Sequence, residues 1–300
     1  TLVAMTALDQ WIKARTKELV NDATTALDSY DTVRATRAIE SYIDDLSTWY
    51  LRRSRGREDT AFFATFYGVL MTASKVIAPF MPHLAEAVYL GLVSNFGEEP
   101  HATPAESVHL TDWPKTEEVS EEEKAVLQAM AAVREAASVG QAIRQQTKLA
   151  VRQPLARMNI ALKEPLPNLS ENLIGILLAE LNVKNFDTSL AAGEGVVVLA
   201  GAKHVTEVQM DTTMSEELEL EGAARVMERF VQEMRKKQGL KVGEVVTIKY
   251  ETRSVKLEKA VGLFDRKKTY VESIEKGVVA EAGEGLEHGG EMIRLAITRK

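Results

Sequence analysis

A chain of 300 residues, with 45% hydrophobic and 27% charged residues, is ordinary for a globular protein of about two domains. A formal net charge of −7 excludes a generally basic coat for nucleic acid, and the absence of cysteine excludes disulfides and thiolate metal sites. Scattered histidines, short apolar runs and no recognisable signal peptide predict a cytoplasmic protein without zinc or a membrane span, and Thr1 as the first residue indicates a piece of something longer.

The N-terminal part of the chain predicts a succession of amphipathic helices. Thr6 and Asp9 have the spacing of a capping box, with Asp in the place of the usual Glu, before a helical apolar stripe. Asp31 is placed to cap a second helix, which reaches a polar joint at Gly56. Two further helices are predicted over about 60–77 and 83–94.

The end of the second helix carries the clearest functional signal. Arginines crowd together directly after Trp49 and Tyr50, at positions 52, 53, 55 and 57. On a helix Trp49 neighbours Arg52 and Arg53, so a ring and planar guanidinium groups lie side by side. Guanidinium groups fit phosphates and aromatic rings stack on bases, which is the chemistry of single-stranded RNA recognition. The alternative is a helix end solvated by charge.

A long helix follows, beginning at a second capping box formed by Ser120 and Glu123 and running to about Lys148. Along one side it carries a mostly basic stripe. The members of the stripe are Gln141, Arg144, Lys148 and Arg152. A solvated face explains such a stripe as well as a binding surface does.

From Leu155 onwards the spacing of hydrophobic residues alternates between strand-like and helical patterns, which predicts an α+β region. Ser215 caps its clearest helix and Gly239 ends that helix. Arg225, Arg229, Gln232 and Lys236 share another side of it, at spacings of four, seven and eleven residues from Arg225. The predicted strands are 155–162, 183–190, 196–199, 244–251 and 292–298. The predicted helices are 169–181, 215–238 and an interrupted 255–279, and 281–290 is predicted to be a turn.

Five short motifs follow one another along the first half of the chain. They are L-D-Q-W-I (Leu8–Ile12), W-Y-x-R-R-S-R (Trp49–Arg55), P-F-x-P-H-x-x-E (Pro79–Glu86), S-V-H-L-x-x-W-P (Ser107–Pro114) and V-R-Q-P-L (Val151–Leu155). Together and in this order they resemble the isoleucyl-tRNA synthetases, a family of class I aminoacyl-tRNA synthetases. The similarity covers about Leu8 to Leu155, and the rest of the chain resembles the cysteine-poor branch of that family more loosely. The fourth motif is predicted to be a short strand, and Trp113 within it a packing anchor towards the next domain.

The resemblance implies a fold: an α-helical bundle, the class I anticodon-binding domain, over 1–153, then a smaller α+β region. That region divides into a junction domain over 154–214 and a C-terminal domain over 215–300. The implied partners are the anticodon stem-loop of isoleucine tRNA and an N-terminal catalytic domain that is missing here. The intact parent uses ATP and magnesium to activate isoleucine. A portion of a valyl or leucyl enzyme is the nearest alternative.

The family's H-I-G-H and K-M-S-K-S motifs and its editing domain are absent from this sequence. We therefore expect no catalytic residue, metal or cofactor in this chain, and no ligase activity from it alone. An independent enzyme built on Asp44–Asp45 or Glu121–Glu123 is disfavoured, because adjacent acids on a helix point to different sides. A protein-interaction module without an RNA role stays an alternative, supported by the acidic net charge.

The resemblance also ranks the candidate tRNA-binding residues. First come Arg52, Arg53, Arg55 and Arg57 for the RNA backbone, with Trp49 for stacking or, equally, for core packing. Arg144, Lys148 and Arg152 are the second choice. Arg225, Arg229, Lys236 and Lys237 are the third.

Overall fold

The computed structural model describes residues 4–96, 106–165, 169–279 and 283–299. The contacts of the chain divide it into two compact units, one made of Thr1–Val133 with Glu164–Ile176 and the other of Arg134–Lys163 with Leu177–Lys300. The predicted fold class is confirmed, because an α-helical bundle is followed by an α+β region. The finer limits at 153 and 214 stay a prediction.

The helices and strands follow one another with few long connections. The helices are α1 (Ala7–Asp28), α2 (Thr32–Asp44), a π-helix (Asp45–Leu51), α3 (Thr60–Ile77), α4 (Pro82–Phe96), a 3₁₀ helix (Val108–Leu110), α5 (Glu121–Gln146), α6 (Glu171–Leu181), α7 (Glu216–Lys237), α8 (Val255–Val261) and α9 (Arg266–Thr269). The strands are β1 (Leu155–Leu162), β2 (Val183–Phe186), β3 (Val196–Ala200), β4 (Val205–Asp211), β5 (Val246–Thr252), β6 (Val271–Lys276), β7 (Glu284–His288) and β8 (Glu291–Arg299).

Helix starts in the first unit follow the predicted caps. The Thr6 hydroxyl accepts the Asp9 N–H at 3.2 Å, and the Asp9 carboxylate accepts the Thr6 N–H at 2.8 Å, which is a complete capping box. The Asp31 carboxylate accepts the Arg34 N–H at 2.9 Å at the start of α2. These bonds satisfy amide groups that have no partner inside the helix.

Apolar side chains of α1, α2, the π-helix and α3 form the core of this unit. Trp11, Ile12, Tyr42 and Tyr50 are almost inaccessible to solvent. The Tyr50 ring also stacks on Phe62, with 5.9 Å between ring centroids. Burial of such large side chains contributes about 1.5–3 kcal/mol each, so these positions hold the bundle together.

A π-helix replaces the regular α-helix that the sequence predicts before the arginine cluster. It spans Asp45–Leu51, where the wider turn inserts an extra residue and re-aims the side chains that follow. Asp45 is buried, and its carboxylate accepts a hydrogen bond at 2.8 Å from Nε of Arg15 on α1. Tyr50, at the other end, donates to Asp9 of α1 at 2.7 Å. Both ends of the π-helix are therefore tied to α1.

Two of the sequence motifs meet in the first unit. The Glu86 carboxylate accepts the Val108 N–H at 2.9 Å and the Ser107 hydroxyl at 3.0 Å. The predicted strand at Ser107 is wrong, because Val108–Leu110 forms a 3₁₀ helix. Trp113 donates from Nε1 to the Thr24 hydroxyl at 2.8 Å, so it anchors its segment to α1 of its own unit.

Only α3 among the described helices is long and apolar enough to cross a membrane. This is weak evidence, because core helices of globular proteins pass the same test. Phe62, Val69 and Val76 of α3 are buried in the structure. The helix contacts both α1 and α4, as a core helix does.

The second unit contains two mixed four-stranded sheets, with strand orders β2-β1-β4-β3 and β6-β5-β8-β7. In each sheet the second strand pairs in parallel with one neighbour and antiparallel with the other. Helix α7 covers the second sheet with Met227, Val231 and Met234, which lie in one buried cluster with Ile248 and Ile293. Its start and end follow prediction: Ser215 accepts the Leu218 N–H, and Gly239 adopts a φ of 68°.

Strand predictions near the end of the chain were partly wrong. The predicted helix over 255–279 divides into α8, α9 and strand β6. Strand β7 lies in the predicted turn at 281–290, whose first part lies outside the described residues, and β4 was not predicted. These three strands form because β4 pairs with β1, β6 with β5 and β7 with β8. A strand takes its hydrogen bonds from a partner strand, so its own sequence does not fully predict it.

The V-R-Q-P-L motif packs closely on α7. Nε2 of Gln153 donates to the Leu218 carbonyl at 2.6 Å. A Cβ atom at Gly222 would come within 2.1 Å of Oε1 of Gln153. Glycine at 222 therefore lets the Gln153 amide lie against the helix backbone.

The Glu135 carboxylate on α5 fills a nest of backbone amides. It accepts N–H groups of residues 202–205 at 2.5–3.4 Å. Partial burial acts to raise the Glu135 pKa, but these donors outweigh it and lower the pKa to about 2. The carboxylate thus stays ionised and pins the β3–β4 turn.

We expect Glu135→Gln to lower the free energy of unfolding by about 2 kcal/mol at neutral pH, because an amide presents one acceptor oxygen instead of two charged ones. The folded-state pKa is depressed, so the difference from the unchanged protein is complete above about pH 4.5 and shrinks as the pH falls towards about 2. Denaturant titrations at several pH values measure it. Exposed Glu194→Gln is the matched control, and equal stability of both variants contradicts the role of Glu135.

Candidate nucleic-acid interface

The predicted ring and guanidinium pair is present directly after the π-helix. Arg52 lies over the half-exposed ring of Trp49, with 6.0 Å from its guanidinium carbon to the ring centroid. Its Nε donates to the Thr48 carbonyl at 2.7 Å, which holds the side chain along the helix. In such an arrangement the aromatic ring can stack on a base, and the guanidinium can contact the phosphate of that nucleotide.

The neighbouring arginines differ in their surroundings. Arg53 is half-buried, and its Nη2 donates to the Ile176 carbonyl at 3.2 Å. Arg55 is exposed and makes no hydrogen bond or ion pair with any residue that the structure describes. Arg52 and Arg55 are thus the most accessible cations of the cluster, and we call Trp49, Arg52, Arg53 and Arg55 the arginine strip.

Arg57 does not belong to this strip, which corrects the predicted role of Arg57. Its Nη1 and Nη2 donate to the two carboxylate oxygens of Asp9 at 2.9 Å each, and its Nε donates to Asp59 at 2.9 Å. Its guanidinium also lies 5.4 Å from the centroid of the Phe62 ring. Only 19% of the side chain is exposed, so Arg57 is a structural clamp between α1 and the start of α3.

The charges in this clamp stabilise one another. Asp9 is fully buried, which acts to raise its pKa, but the Arg57 guanidinium and donors from Thr6 and Tyr50 together lower the pKa to about 2. Burial and the bond donated to Asp9 raise the pKa of Tyr50. Asp9 therefore remains a carboxylate and Tyr50 a neutral phenol throughout the ordinary pH range.

Arg144 also leaves the set of RNA-facing candidates, because it is 2% exposed. Its guanidinium donates to the backbone carbonyls of Leu181, Asn182, Ala150 and Gln153 at 2.5–3.1 Å. Burial lowers its pKa to about 10, which still leaves it charged at neutral pH. Its hydrogen bonds connect the end of α5 to the segments that precede β1 and β2.

The other residues of the second-choice stripe are exposed. Lys148 follows the end of α5 with a left-handed φ of 57°. The Leu149 N–H bonds to the Arg144 carbonyl at 2.9 Å and the Lys148 N–H to the Gln145 carbonyl at 3.2 Å. This Schellman motif usually has glycine where Lys148 lies. Arg152 is exposed on the connection to β1.

The cations of α7 are mostly paired. Arg225 pairs with Glu221 at 2.7 Å, Arg229 with Glu233 at 2.5 Å and Lys237 with Glu284 at 2.6 Å, while Lys236 is exposed. A cleft of about 880 Å³ beside α7 includes Arg152, Arg225 and Arg229 in its wall. Its lining carries equal numbers of acidic and basic side chains, so it does not favour phosphate as the arginine strip does.

Within the residues that the structure describes, no group of three or more His, Asp or Glu side chains is placed to hold a metal ion. The candidate interface therefore consists of cations and an aromatic ring.

Comparison with known proteins identifies the family of the chain. Residues 9–160 match the family described as the anticodon-binding domain of tRNA ligase. The isoleucine–tRNA ligase of Deinococcus radiodurans is 41% identical over 186 residues, which is 59% of this chain and 16% of the relative. The enzyme of Dehalococcoides mccartyi strain 195 is 32% identical over 97% of this chain and 30% of its own length. That of Bacillus thuringiensis is 30% identical over 83% of this chain and also 30% of its own length.

The chain thus spans less than a third of the length of each of these relatives. The family model covers residues 9–160, which include the arginine strip and extend from α1 into β1. The resemblance predicted from the motifs is confirmed, and the chain belongs to the family of anticodon-binding domains of tRNA ligases.

Proposed function

We propose that this chain binds the anticodon stem-loop of isoleucine tRNA through the arginine strip. The observation that carries the proposal is the Arg52 guanidinium over the Trp49 ring, with exposed Arg55 beside it. The cations contact loop phosphates and fix the register of the RNA, and the Trp49 ring stacks on an unpaired base. Lys148 and Arg152 are exposed and stay candidates for further phosphate contacts.

The relatives support a place for this chain within a longer isoleucine–tRNA ligase. In that protein a separate catalytic domain activates isoleucine with ATP and magnesium and esterifies it to the tRNA. The present chain contributes RNA binding in the cytoplasm, without a metal or cofactor of its own. A portion of a valyl or leucyl ligase, or a protein-interaction module, are the alternatives to be tested.

We expect the variant Arg52→Ala with Arg55→Ala to bind isoleucine tRNA about ten-fold more weakly at low salt, because two phosphate contacts are lost. The slope of log affinity against log salt should become shallower by about 1.4, as expected for two single-strand contacts. Fluorescence anisotropy over a salt series measures both. Arg34→Ala with Arg37→Ala, two exposed arginines of α2, is the matched control with the same change of net charge.

Specificity is tested in the same assay with an isoleucine tRNA whose anticodon is exchanged. Weaker binding of the exchanged tRNA supports anticodon recognition. Preference for a valine or leucine tRNA supports the neighbouring families. Salt-independent binding, or equal loss in the control variant, contradicts a role of the strip and favours the interaction module.

The chain alone is expected to show no isoleucine-dependent exchange between ATP and pyrophosphate, since it lacks the family's nucleotide-binding motifs. Radioactive exchange measures this directly, with a full-length ligase as positive control. Exchange above background would overturn the assignment of the chemistry to another domain.

A further inference from the structure

Outside the arginine strip, an exposed aromatic ring with cations beside it lies between α9 and β6. Tyr270 connects these elements and is 39% exposed. The guanidinium carbon of Arg235 lies 5.6 Å from the centroid of its ring. The ring is therefore held by a cation and also remains open to a ligand.

Arg235 brings an uncompensated charge to this ring. It is 4% exposed, and its Nη2 donates to the backbone carbonyls of Glu244 at 2.7 Å and Lys241 at 3.3 Å. Its Nη1 is buried and has no hydrogen-bond acceptor among the described residues. Neutral carbonyls do not cancel the charge, so the cation holds the ring electrostatically as well as by packing.

The flanks of the ring carry exposed positive charge. Arg266 and Lys267 are exposed, and neither forms an ion pair with a residue that the structure describes. They line a shallow cavity of about 480 Å³ together with Tyr270, Val245, Val271 and one acidic residue, Glu272. This volume is large enough for a nucleotide, and its apolar floor suits the face of a base.

We propose that Tyr270, Arg266 and Lys267 form a second RNA contact, which takes one unpaired nucleotide. The base stacks on the Tyr270 ring, and the flanking phosphates meet Arg266 and Lys267. Any base can stack on the ring, so the contact does not depend on sequence. The base must be unpaired to reach the ring while its phosphates reach the two cations. The site therefore selects single-stranded over duplex RNA. This inference rests on the proposed function, because it assigns a second contact on this chain to RNA.

The test uses the full chain with Arg52→Ala and Arg55→Ala, so that the arginine strip does not mask the second contact. Tyr270→Ala in this background is expected to weaken binding of a labelled single-stranded oligoadenylate about 5- to 100-fold, as for loss of one stacked base. Tyr270→Phe should retain binding. Reversal of both cations, Arg266→Glu with Lys267→Glu, should weaken binding and flatten the salt dependence without touching the core.

Tyr30 provides the matched control, because it is an exposed tyrosine with the same left-handed backbone, φ 59° against 56° at Tyr270. Tyr30→Ala should leave oligoadenylate binding unchanged. A photoreactive single-stranded oligouridylate should crosslink to Tyr270, and an RNA duplex should compete poorly. Near-ultraviolet circular dichroism monitors the fold of every variant.

The outcomes separate the two proposals. If the unchanged chain binds isoleucine tRNA but neither the Tyr270 nor the charge-reversal variant alters oligoadenylate binding, only this second contact is overturned. If the unchanged chain does not bind the tRNA at all, the proposed function fails. Tighter binding of a polyglutamate peptide than of the oligonucleotide would assign the patch to an acidic protein partner and overturn the RNA site.

Discussion

Replacing Arg57 by alanine is expected to lower the free energy of unfolding of the helical unit by about 3–5 kcal/mol. The change removes the two hydrogen bonds that Arg57 donates to the carboxylate of Asp9, which is fully buried. An unpaired charge in that position costs far more than the loss of an exposed ion pair. Denaturant unfolding followed by tryptophan fluorescence, to which buried Trp11 contributes, measures the effect.

The pH dependence identifies the mechanism. In the folded protein the Asp9 pKa is about 2, against an ordinary 3.8 in the unfolded chain. A depressed folded-state pKa contributes stability that is complete above about pH 4 and is lost as the pH falls towards 2. The Arg57→Ala variant should show a smaller loss over this range, because removal of the guanidinium takes away one of the donors that depress the Asp9 pKa.

A double-mutant cycle separates the pair from its surroundings. The double variant Asp9→Asn with Arg57→Gln should lose less stability than the sum of the losses in the two single variants. Each single change leaves one charge of the pair without its partner, whereas the double change removes both charges. Strict additivity would show that the two side chains do not interact. Arg55→Ala, two positions away and exposed, should change stability by no more than about 0.5 kcal/mol.

Local signals in the sequence predicted most of the helical unit. Thr6, Asp31 and Ser120 each cap a helix as their spacing indicates, since capping depends on residues only three positions apart. The π-helix was not predicted. Its apolar positions fit an ordinary helix as well, and the contacts from α1 that favour the wider turn come from distant residues.

In the candidate site, too, contacts between neighbouring residues were predictable and contacts between distant residues were not. The ring and guanidinium at positions 49 and 52 were predictable, because helical geometry brings neighbouring turns together. The role of Arg57 was not, because its main partner Asp9 lies 48 residues away. An acid inside the apolar stripe of α1 is a signal that could have found it, because a carboxylate on a buried face requires a cation.

The role of Arg144 was equally hidden, because its partners are main-chain carbonyls, which no side-chain pattern records. We expect Arg144→Lys to lower the free energy of unfolding of the second unit by about 3 kcal/mol or more. One ammonium group cannot reach every carbonyl that the planar guanidinium satisfies, and each buried unsatisfied group costs about 1–3 kcal/mol.

Hydrogen exchange locates this effect. Amide protection in β1 and α6 should fall in the Arg144→Lys variant, because the carbonyls that Arg144 holds lie where these elements begin or end. The exposed Arg152→Lys change is the control and should leave protection unaltered. The two variants also decide between a structural and an RNA-binding Arg144. A folded Arg144→Lys chain with unchanged protection and weakened tRNA binding would return this residue to the interface, whereas lost protection identifies it as the support on which β1 and α6 depend.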